Sequence, residues 1–207
     1  MTTALGQEGI SLHPAYFDAS AQAELVRDIT DVVERAPFFT PRMPRTGRPF
    51  SVQMTNCGPL GWVSDVAGYR YQPTHPQTGA PWPKMPQVLV DLWRDVGAPG
   101  LPQACLVNLY SEGARMGLHQ DRDEEELGAP VVSVSLGDTA VFRIGGTTRR
   151  APTRSMRLAS GDVFVFGGPA RLVYHGIDRV LSGSSRLVSG GGRINLTLRR
   201  VTALEND

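Results

Sequence analysis

The segment GLHQDRDEEELGAP, residues 117–130, sets a histidine two residues ahead of an aspartate at the head of a run of acids, in a chain with only four histidines. Two readings stand open for it. One is an exposed acidic loop; the other is a strand end from which His119 and Asp121 point the same way and share a metal ion. Residues i and i+2 of a strand lie on one face, about 6.5 Å apart, so both side chains can converge on an ion about 2 Å from each ligand atom. A His-x-Asp pair alone is weak and needs a third ligand. His175, in RLVYHGI, sits at the end of another apolar stretch just before a glycine. By itself it reads as a structural histidine. Two histidines with one carboxylate, however, make the facial triad that leaves positions open on non-haem Fe(II).

Open positions on iron call for a co-substrate, and GRINLTLRR has the residues to hold one. Strand alternation puts Arg193, Asn195, Thr197 and Arg199 on a single face. Two arginines on a core-facing strand are costly unless a buried anion pairs with them, and the planar guanidinium fork suits a dicarboxylate. The competing reading is an outward, solvated face on the last strand of a domain. In RIGGTTRRAPTRSMR, Arg143, Arg149, Arg150, Arg154 and Arg157 occur with no acid, while Arg115 and Arg122 flank the His-x-Asp pair. That pattern reads as a groove tracking the phosphates of a short single strand, or as a solvated hairpin.

These side chains need a scaffold. Two amphipathic helices precede them. SAQAELVRDITDVVERAP offers Ser20 as N-cap and Leu25, Ile29, Val32 and Val33 on one face, and stops at Pro37. PQVLVDLWRDVGAP repeats the pattern with Leu89, Leu92, Trp93 and Val96, ending at Gly97 with Pro99 beyond. Residues 37–86 between them are rich in Pro, Gly and aromatics, with short strand-like pieces such as FSVQMTN; so long a stretch without strong periodicity is uncommon unless functional. From residue 103 onward come short β-branched or alternating segments, ACLVNLY, VVSVSLG, AVFRIGG, SMRLASGDVFVFGG, ARLVYHGI and GRINLTLRR, divided by Gly, Ser and Asp turns. Val132, Val134 and Leu136 alternate with serines, as in a half-buried strand. The expected fold class is mainly β with flanking helices. Residues 101–207 would form a sandwich, barrel or jelly roll, covered by a helical and irregular half in 1–100, all within one domain of 1–207.

Charge balance narrows the partners. With 21 Lys and Arg against 20 Asp and Glu, the chain is no basic nucleic-acid coat, so any polyanion must meet a local patch. Cys57 and Cys105 sit among core-type residues, which favours buried thiols in a reducing compartment over a disulfide. The start, MTTALGQEGISLHP, has no basic, apolar secretory pattern, and no apolar run reaches bilayer length. A cytoplasmic protein without a membrane partner is expected, and a monomer, since no dimerisation element stands out.

The segments MTNCGPLGW, PQTGAPWPKMP, CLVNLYSEGARMGLHQDRDE, PVVSVSLG, GDVFVFGG, RLVYHGI and RINLTLR resemble the AlkB family of Fe(II)- and 2-oxoglutarate-dependent nucleic-acid demethylases. The likeness runs from about residue 51 to 200, with a looser match over the first 50. It implies a double-stranded β-helix (jelly roll) core with an N-terminal nucleotide-recognition lid. It implies His119, Asp121 and His175 as iron ligands. It puts the 2-oxoglutarate contacts on Asn108, Tyr110, Arg193, Asn195 and Arg199, with Arg193 on the far carboxylate and Arg199 on the one beside the keto group and the metal. Met54, Trp62, Tyr69, Tyr71, Asp123 and Arg149 would form the base pocket, and Glu125 and Glu126 would only solvate the loop. The implied reaction is O2-dependent oxidative demethylation of 1-methyladenine and 3-methylcytosine in DNA, preferably single-stranded. It releases formaldehyde, succinate and CO2 as direct-reversal repair. RNA, tRNA or protein substrates are alternatives, and a non-catalytic nucleic-acid-binding module with a structural metal stands last. TPRMPRTGRPFSV, VSDVAG and Phe166, where a bacterial member carries an indole, depart from the family pattern and bear on substrate preference.

Overall fold

The computed structural model describes residues 3–4 and 7–204. In chain order the elements are β1 (Thr3–Ala4), β2 (Ile10–His13), α1 (Ala19–Arg35), β3 (Gln53–Cys57), β4 (Gly61–Asp65), β5 (Gly68–Gln72), α2 (Gln87–Asp95), β6 (Ala104–Tyr110), β7 (Met116–His119), β8 (Val131–Gly137), β9 (Ala140–Ile144), β10 (Arg154–Leu158), β11 (Val163–Phe166), β12 (His175–Val180) and β13 (Arg193–Arg199). They build a major antiparallel sheet in the order β1-β2-β11-β8-β13-β6-β3, a minor sheet β10-β9-β12-β7, and a separate β4-β5 hairpin.

Period-2 alternation sorts the major sheet into two faces. On one, Val107, Val132, Val134, Leu196 and Leu198 pack beneath Leu25, Ile29 and Val32 of α1 and Leu89, Leu92 and Trp93 of α2. Each such aliphatic side chain withdrawn from water contributes about 1.5–3 kcal/mol. On the other face, Met54, Leu106, Tyr110, Phe164 and Phe166 meet Phe142, Ile144 and Ile177 of the minor sheet. Two sheets closed face to face, with helices covering one outer side, make the jelly roll that the strand-rich second half led us to expect. Both faces of β8 are enclosed rather than one. Ser133 and Ser135 do not point to water; they point between the sheets, where they accept hydrogen bonds from Asn195 and Arg193.

Several local expectations need correction. Helix α1 is capped by Asp18, whose carboxylate accepts the Ala21 N–H at 2.9 Å; Ser20 is already inside the helix, and the aspartate two positions ahead of it reaches the third-residue amide. Helix α2 ends as expected, with Gly97 in the left-handed region at φ 72°. Residues 1–100 supply more than helices and lid, because β2 pairs with β11 and β3 pairs with β6 at the opposite margin of the major sheet. His175 begins a strand instead of ending one, since the chain before it turns through a 3-10 segment at Gly168–Ala170.

The segment between the two helices is rooted by a histidine to which the sequence reading assigned no role. His75 is 1% exposed. Its Nε2–H donates to Pro37 O at 2.7 Å, and its Nδ1 accepts the N–H groups of Gln77 and Thr78 at 3.2 Å. Phe39 and Trp82 pack edge-on against the ring at 5.4 and 5.2 Å. Cys57 and Cys105 are free, buried cross-strand partners in β3 and β6. Among the described residues, no helix is long and apolar enough to cross a membrane.

Candidate active site

The two histidines meet because β7 and β12 pair antiparallel with His119 opposite His175. Their ring centroids lie 4.5 Å apart. Strand β7 stops at His119, so Asp121 is not brought in by strand alternation; it lies on irregular backbone two residues on. Arg171 pulls its carbonyl in at 2.5 Å, and Arg199 holds its carboxylate. Asp121 Oδ1 then stands 3.5 Å from His119 Nε2 and 3.8 Å from His175 Nε2. The three ligand atoms all fall within 4.8 Å of one another. Atoms bound to one ion at about 2 Å sit about 3–3.5 Å apart, so a small inward shift closes the set around a metal.

Backbone contacts select the tautomer. His119 Nδ1 lies 2.9 Å from Gly117 O, and His175 Nδ1 lies 3.0 Å from Val173 O. Each Nδ1–H therefore donates to a carbonyl and leaves the Nε2 lone pair aimed at Asp121. Burial pulls His175 down to about 4, so its ring is neutral at physiological pH. Burial alone would raise the Asp121 carboxyl, but Arg199 and the two imidazoles hold it well below the usual carboxylate range. Two imidazoles and one carboxylate form a donor set that fits Fe(II), Mn(II) or another borderline divalent metal.

Behind the triad, a cavity of about 360 Å³ opens between the sheets. Arg193 forms its far wall and is fully buried. Its Nη2–H donates to Ser135 Oγ at 2.8 Å, while Nη1 finds only the carbonyls of Leu158 and Asp138 at 3.4 and 3.5 Å. Its Nε has no hydrogen-bond partner, and neither does Asn108 Oδ1. Among the described residues no carboxylate forms an ion pair with Arg193, and burial pushes this guanidinium down to about 10. A buried cation with no direct counter-ion is expensive, and an anion in the cavity lowers the cost. Asn108, Tyr110 and Asn195 line the cavity too. Asn195 lies opposite Asn108, and Arg193 opposite Tyr110, in the β13-β6 ladder. Burial pushes Tyr110 up to about 12, so it remains a neutral phenol. Leu106, Phe142, Leu158 and Phe164 supply apolar walls between. The face of β13 read as either solvated or anion-binding is turned inward.

Arg199 sits nearer the triad than its expected role requires. Its Nε and Nη2 donate to Asp121 Oδ2 at 3.0 and 2.7 Å, and Nε lies 3.3 Å from Glu124 Oε1. Only Nη1, 3.5 Å from the Tyr71 hydroxyl, is weakly engaged. It is the edge of this guanidinium least committed to protein partners.

Met54, Trp62, Tyr69, Asp123 and Arg149 all line the cavity, Met54 buried within it and the other four at its mouth. Tyr69 stacks on Trp62 at 5.5 Å and 18°, and the Trp62 Nε1–H donates to Asp123 Oδ2 at 2.8 Å. Arg149 donates to Leu118 O and lies 5.9 Å above the Tyr174 ring. Tyr71 is placed differently from the other five: it stands behind the wall, with its hydroxyl on Glu124 and Arg199. The run of arginines divides. Arg149 joins the mouth, whereas Arg143 on β9 and Arg157 on β10 alternate with inward residues and face out from the minor sheet. Glu125 is exposed, but Glu126 does more than solvate, accepting the N–H groups of Gly128 and Leu204. Sequence reasoning missed Glu124 and Arg171, both buried. Nothing in DRDEEE distinguishes Glu124 from its neighbours, and Arg171 carried no motif.

Comparison with known proteins agrees with this geometry. The family profile described as "2OG-Fe(II) oxygenase superfamily" matches residues 9–199. The chain is 60% identical over 193 residues to the alpha-ketoglutarate-dependent dioxygenase AlkB homolog of Caulobacter vibrioides, covering 93% of this chain and 87% of that one. It is 47% identical over 189 residues to alpha-ketoglutarate-dependent dioxygenase AlkB of Escherichia coli, covering 89% and 87%. Among solved structures, that described as "The structure of OsALKBH1" superposes with a TM-score of 0.84 at 31% identity, over 97% of this chain and all of that one. Shorter stretches match DNA N(6)-methyladenine demethylase ALKBH1D of Arabidopsis thaliana, at 43% over 110 residues, and tRNA demethylase abh1 of Schizosaccharomyces pombe, at 34% over 83; these cover 47% and 40% of this chain, and 24% and 28% of those proteins.

Proposed function

This chain belongs to the 2OG-Fe(II) oxygenase superfamily, and from that premise we propose that it removes alkyl groups oxidatively from bases in nucleic acid, with single-stranded DNA as the preferred substrate. It is an iron- and 2-oxoglutarate-dependent dioxygenase of AlkB type. The observation that carries the reading is the presence, in one cavity, of a His-Asp-His set and a buried arginine that forms no ion pair among the described residues.

In this reading His119, Asp121 and His175 hold the iron. Arg193, Tyr110 and Asn195 take the far carboxylate of 2-oxoglutarate, Asn108 turns its unpaired Oδ1 toward the same cavity, and Arg199 takes the near carboxylate through Nη1. When bound, iron and 2-oxoglutarate supply the oxidising power, with O2 consumed, 2-oxoglutarate converted to succinate and CO2, and an N-methyl group lost as formaldehyde. The rest of the chain orients and excludes. The enclosed sheets keep bulk water from the metal, and the aromatic hairpin meets the base.

1-Methyladenine and 3-methylcytosine fit this mouth because both are cations at neutral pH. A cation stacks favourably on the Trp62 face and is attracted by Asp123. Their methyl group blocks Watson–Crick pairing, so extrusion costs less than for a paired base. Met54 lines the pocket below and Arg149 and Arg122 line its rim, where in this reading the two arginines meet phosphates. Tyr71 acts from behind the wall. We take the chain as one catalytic domain that works as a monomer in the cytoplasm, a compartment that suits two free buried thiols.

Iron-loaded protein incubated with 3-methylcytosine in an oligonucleotide, ascorbate and 2-oxoglutarate should release formaldehyde and succinate in equal amounts. No formaldehyde would remove the proposal. A panel of single-stranded DNA, duplex DNA and tRNA, read by mass spectrometry, separates DNA repair from the second reading, a tRNA substrate, favoured by the activity named for the yeast relative.

A further inference from the structure

Two buried charges beneath the site have no role in that account. Arg171 and Glu124 are 3% and 7% exposed. Arg171 spends its whole guanidinium on one loop: Nε–H donates to Ala129 O at 2.9 Å, Nη1–H to Asp121 O at 2.5 Å, and Nη2–H to Glu124 Oε2 at 3.0 Å. The other carboxylate oxygen of Glu124 accepts the Tyr71 hydroxyl and faces Arg199 Nε at 3.3 Å. Arg199 in turn grips Asp121 Oδ2. The contacts run Arg171 to Glu124 to Arg199 to Asp121, and end on the carboxylate whose free oxygen faces both imidazoles.

The charges explain why such a chain is needed. A two-point hold on Oδ2 stops the Asp121 carboxylate from rotating and leaves Oδ1 as a one-atom ligand. The residue that provides this hold is itself a cation, placed where a divalent metal must bind. A guanidinium that close to a metal weakens binding unless a second anion offsets it, and Glu124 is that anion. Arg171 balances Glu124, so two acids and two arginines cancel in a dry interior where an unpaired charge would be costly.

The same loop is also gripped by the lid. Trp62 and Tyr71 are cross-strand partners in the β4-β5 hairpin, and they hold the consecutive acids Asp123 and Glu124 through the indole N–H and the phenol.

We propose that Glu124 is a positioning residue: braced by Arg171 and by Tyr71 of the lid hairpin, it holds Arg199 so that Asp121 presents Oδ1 alone to the metal, and it thereby links seating of the lid to metal and 2-oxoglutarate affinity. The inference rests on His119, Asp121 and His175 being the metal ligands.

The test is anaerobic titration of the metal-free full chain with Fe(II), then 2-oxoglutarate, read by calorimetry and by the visible absorption of the 2-oxoglutarate complex, alongside thermal melting with and without metal. Glu124→Gln should weaken metal binding by about tenfold or more, the scale of outer-sphere partners. Tyr71→Phe should weaken it several-fold, leave the metal-free melting temperature near that of the unaltered chain, and shrink the upward shift that metal produces. If Glu124→Gln does not fold, Tyr71→Phe decides alone. Unaltered metal and 2-oxoglutarate affinities in the folded variants, even with a lower melting temperature, would mean that Glu124 only supports the fold, and would overturn the proposal. His119→Ala is the control for the underlying assignment. If it binds metal as the unaltered chain does, the ligand set is wrong and the inference falls with it.

Discussion

Arg193 and Arg199 occupy one face of one strand and differ in what they already hold, so their substitutions should separate. Among the described residues Arg193 forms no ion pair, and only the Asp162 carboxylate acts on it from farther away; Arg199 has Asp121 and Glu124. Arg193→Met should cost 2-oxoglutarate binding about 1.5–3 kcal/mol, the range for a charge-assisted hydrogen bond, and leave metal affinity alone. It should also raise the melting temperature of the co-substrate-free protein, because a buried charge with no direct counter-ion is gone. Calorimetric titration and a melting curve check both halves. Arg199→Ala should lose metal and 2-oxoglutarate together, since Asp121 is freed as well. His119→Ala should abolish metal uptake and turnover yet leave single-strand binding, as metal analysis and a gel-shift assay would read. The identity and alternation of these residues were legible in the chain. Whether each arginine had a counter-ion was not, because Asp121 and Glu124 lie more than seventy positions from Arg199 in sequence.

At the scale of elements, the proposed metal set depends on how closely β7 and β12 pair. A Cβ on Gly176 would lie 2.5 Å from Met116 O and 2.8 Å from Gly117 O, both backbone atoms that cannot swing aside. Gly176→Ala should therefore push His119 from His175, lowering both metal affinity and melting temperature; retained metal binding would show that the pair tolerates spreading. The β4-β5 hairpin should behave separately. Trp62→Ala removes the stack with Tyr69 and the bond to Asp123, so substrate affinity should fall while 2-oxoglutarate turnover without substrate continues, measurable as succinate. The strands after residue 103 were readable from alternation. The start of β12 was not, since the apolar run LVYH looks like a strand while the backbone through Gly168–Ala170 turns.

For the molecule as a whole, β13 lies between β6 and β8 and carries the cavity on one face and the helix-covered core on the other. Leu196→Ala on the core face should cost about 2–5 kcal/mol without touching the site; its melting temperature should fall, and metal affinity of the folded fraction should not. A formal charge of +1 and a divided arginine run leave few cations at the mouth. If about two or three phosphates are met there, raising salt from about 50 to 200 mM should weaken single-strand binding roughly tenfold.

Residue chemistry and period-2 alternation are local properties, and the sequence by itself sufficed for them: a β-rich second half, two amphipathic helices, the His-Asp-His set, and an arginine face on the last strand. Which way that face turned depended on a second sheet closing over it. Asp121 reached its partners across irregular backbone, and Glu124 was set apart from Glu125 and Glu126 by the burial of one side chain among three alike. Those outcomes belong to the tertiary structure, because burial and electrostatic pairing are sums over neighbours that the order of residues along the chain does not place side by side.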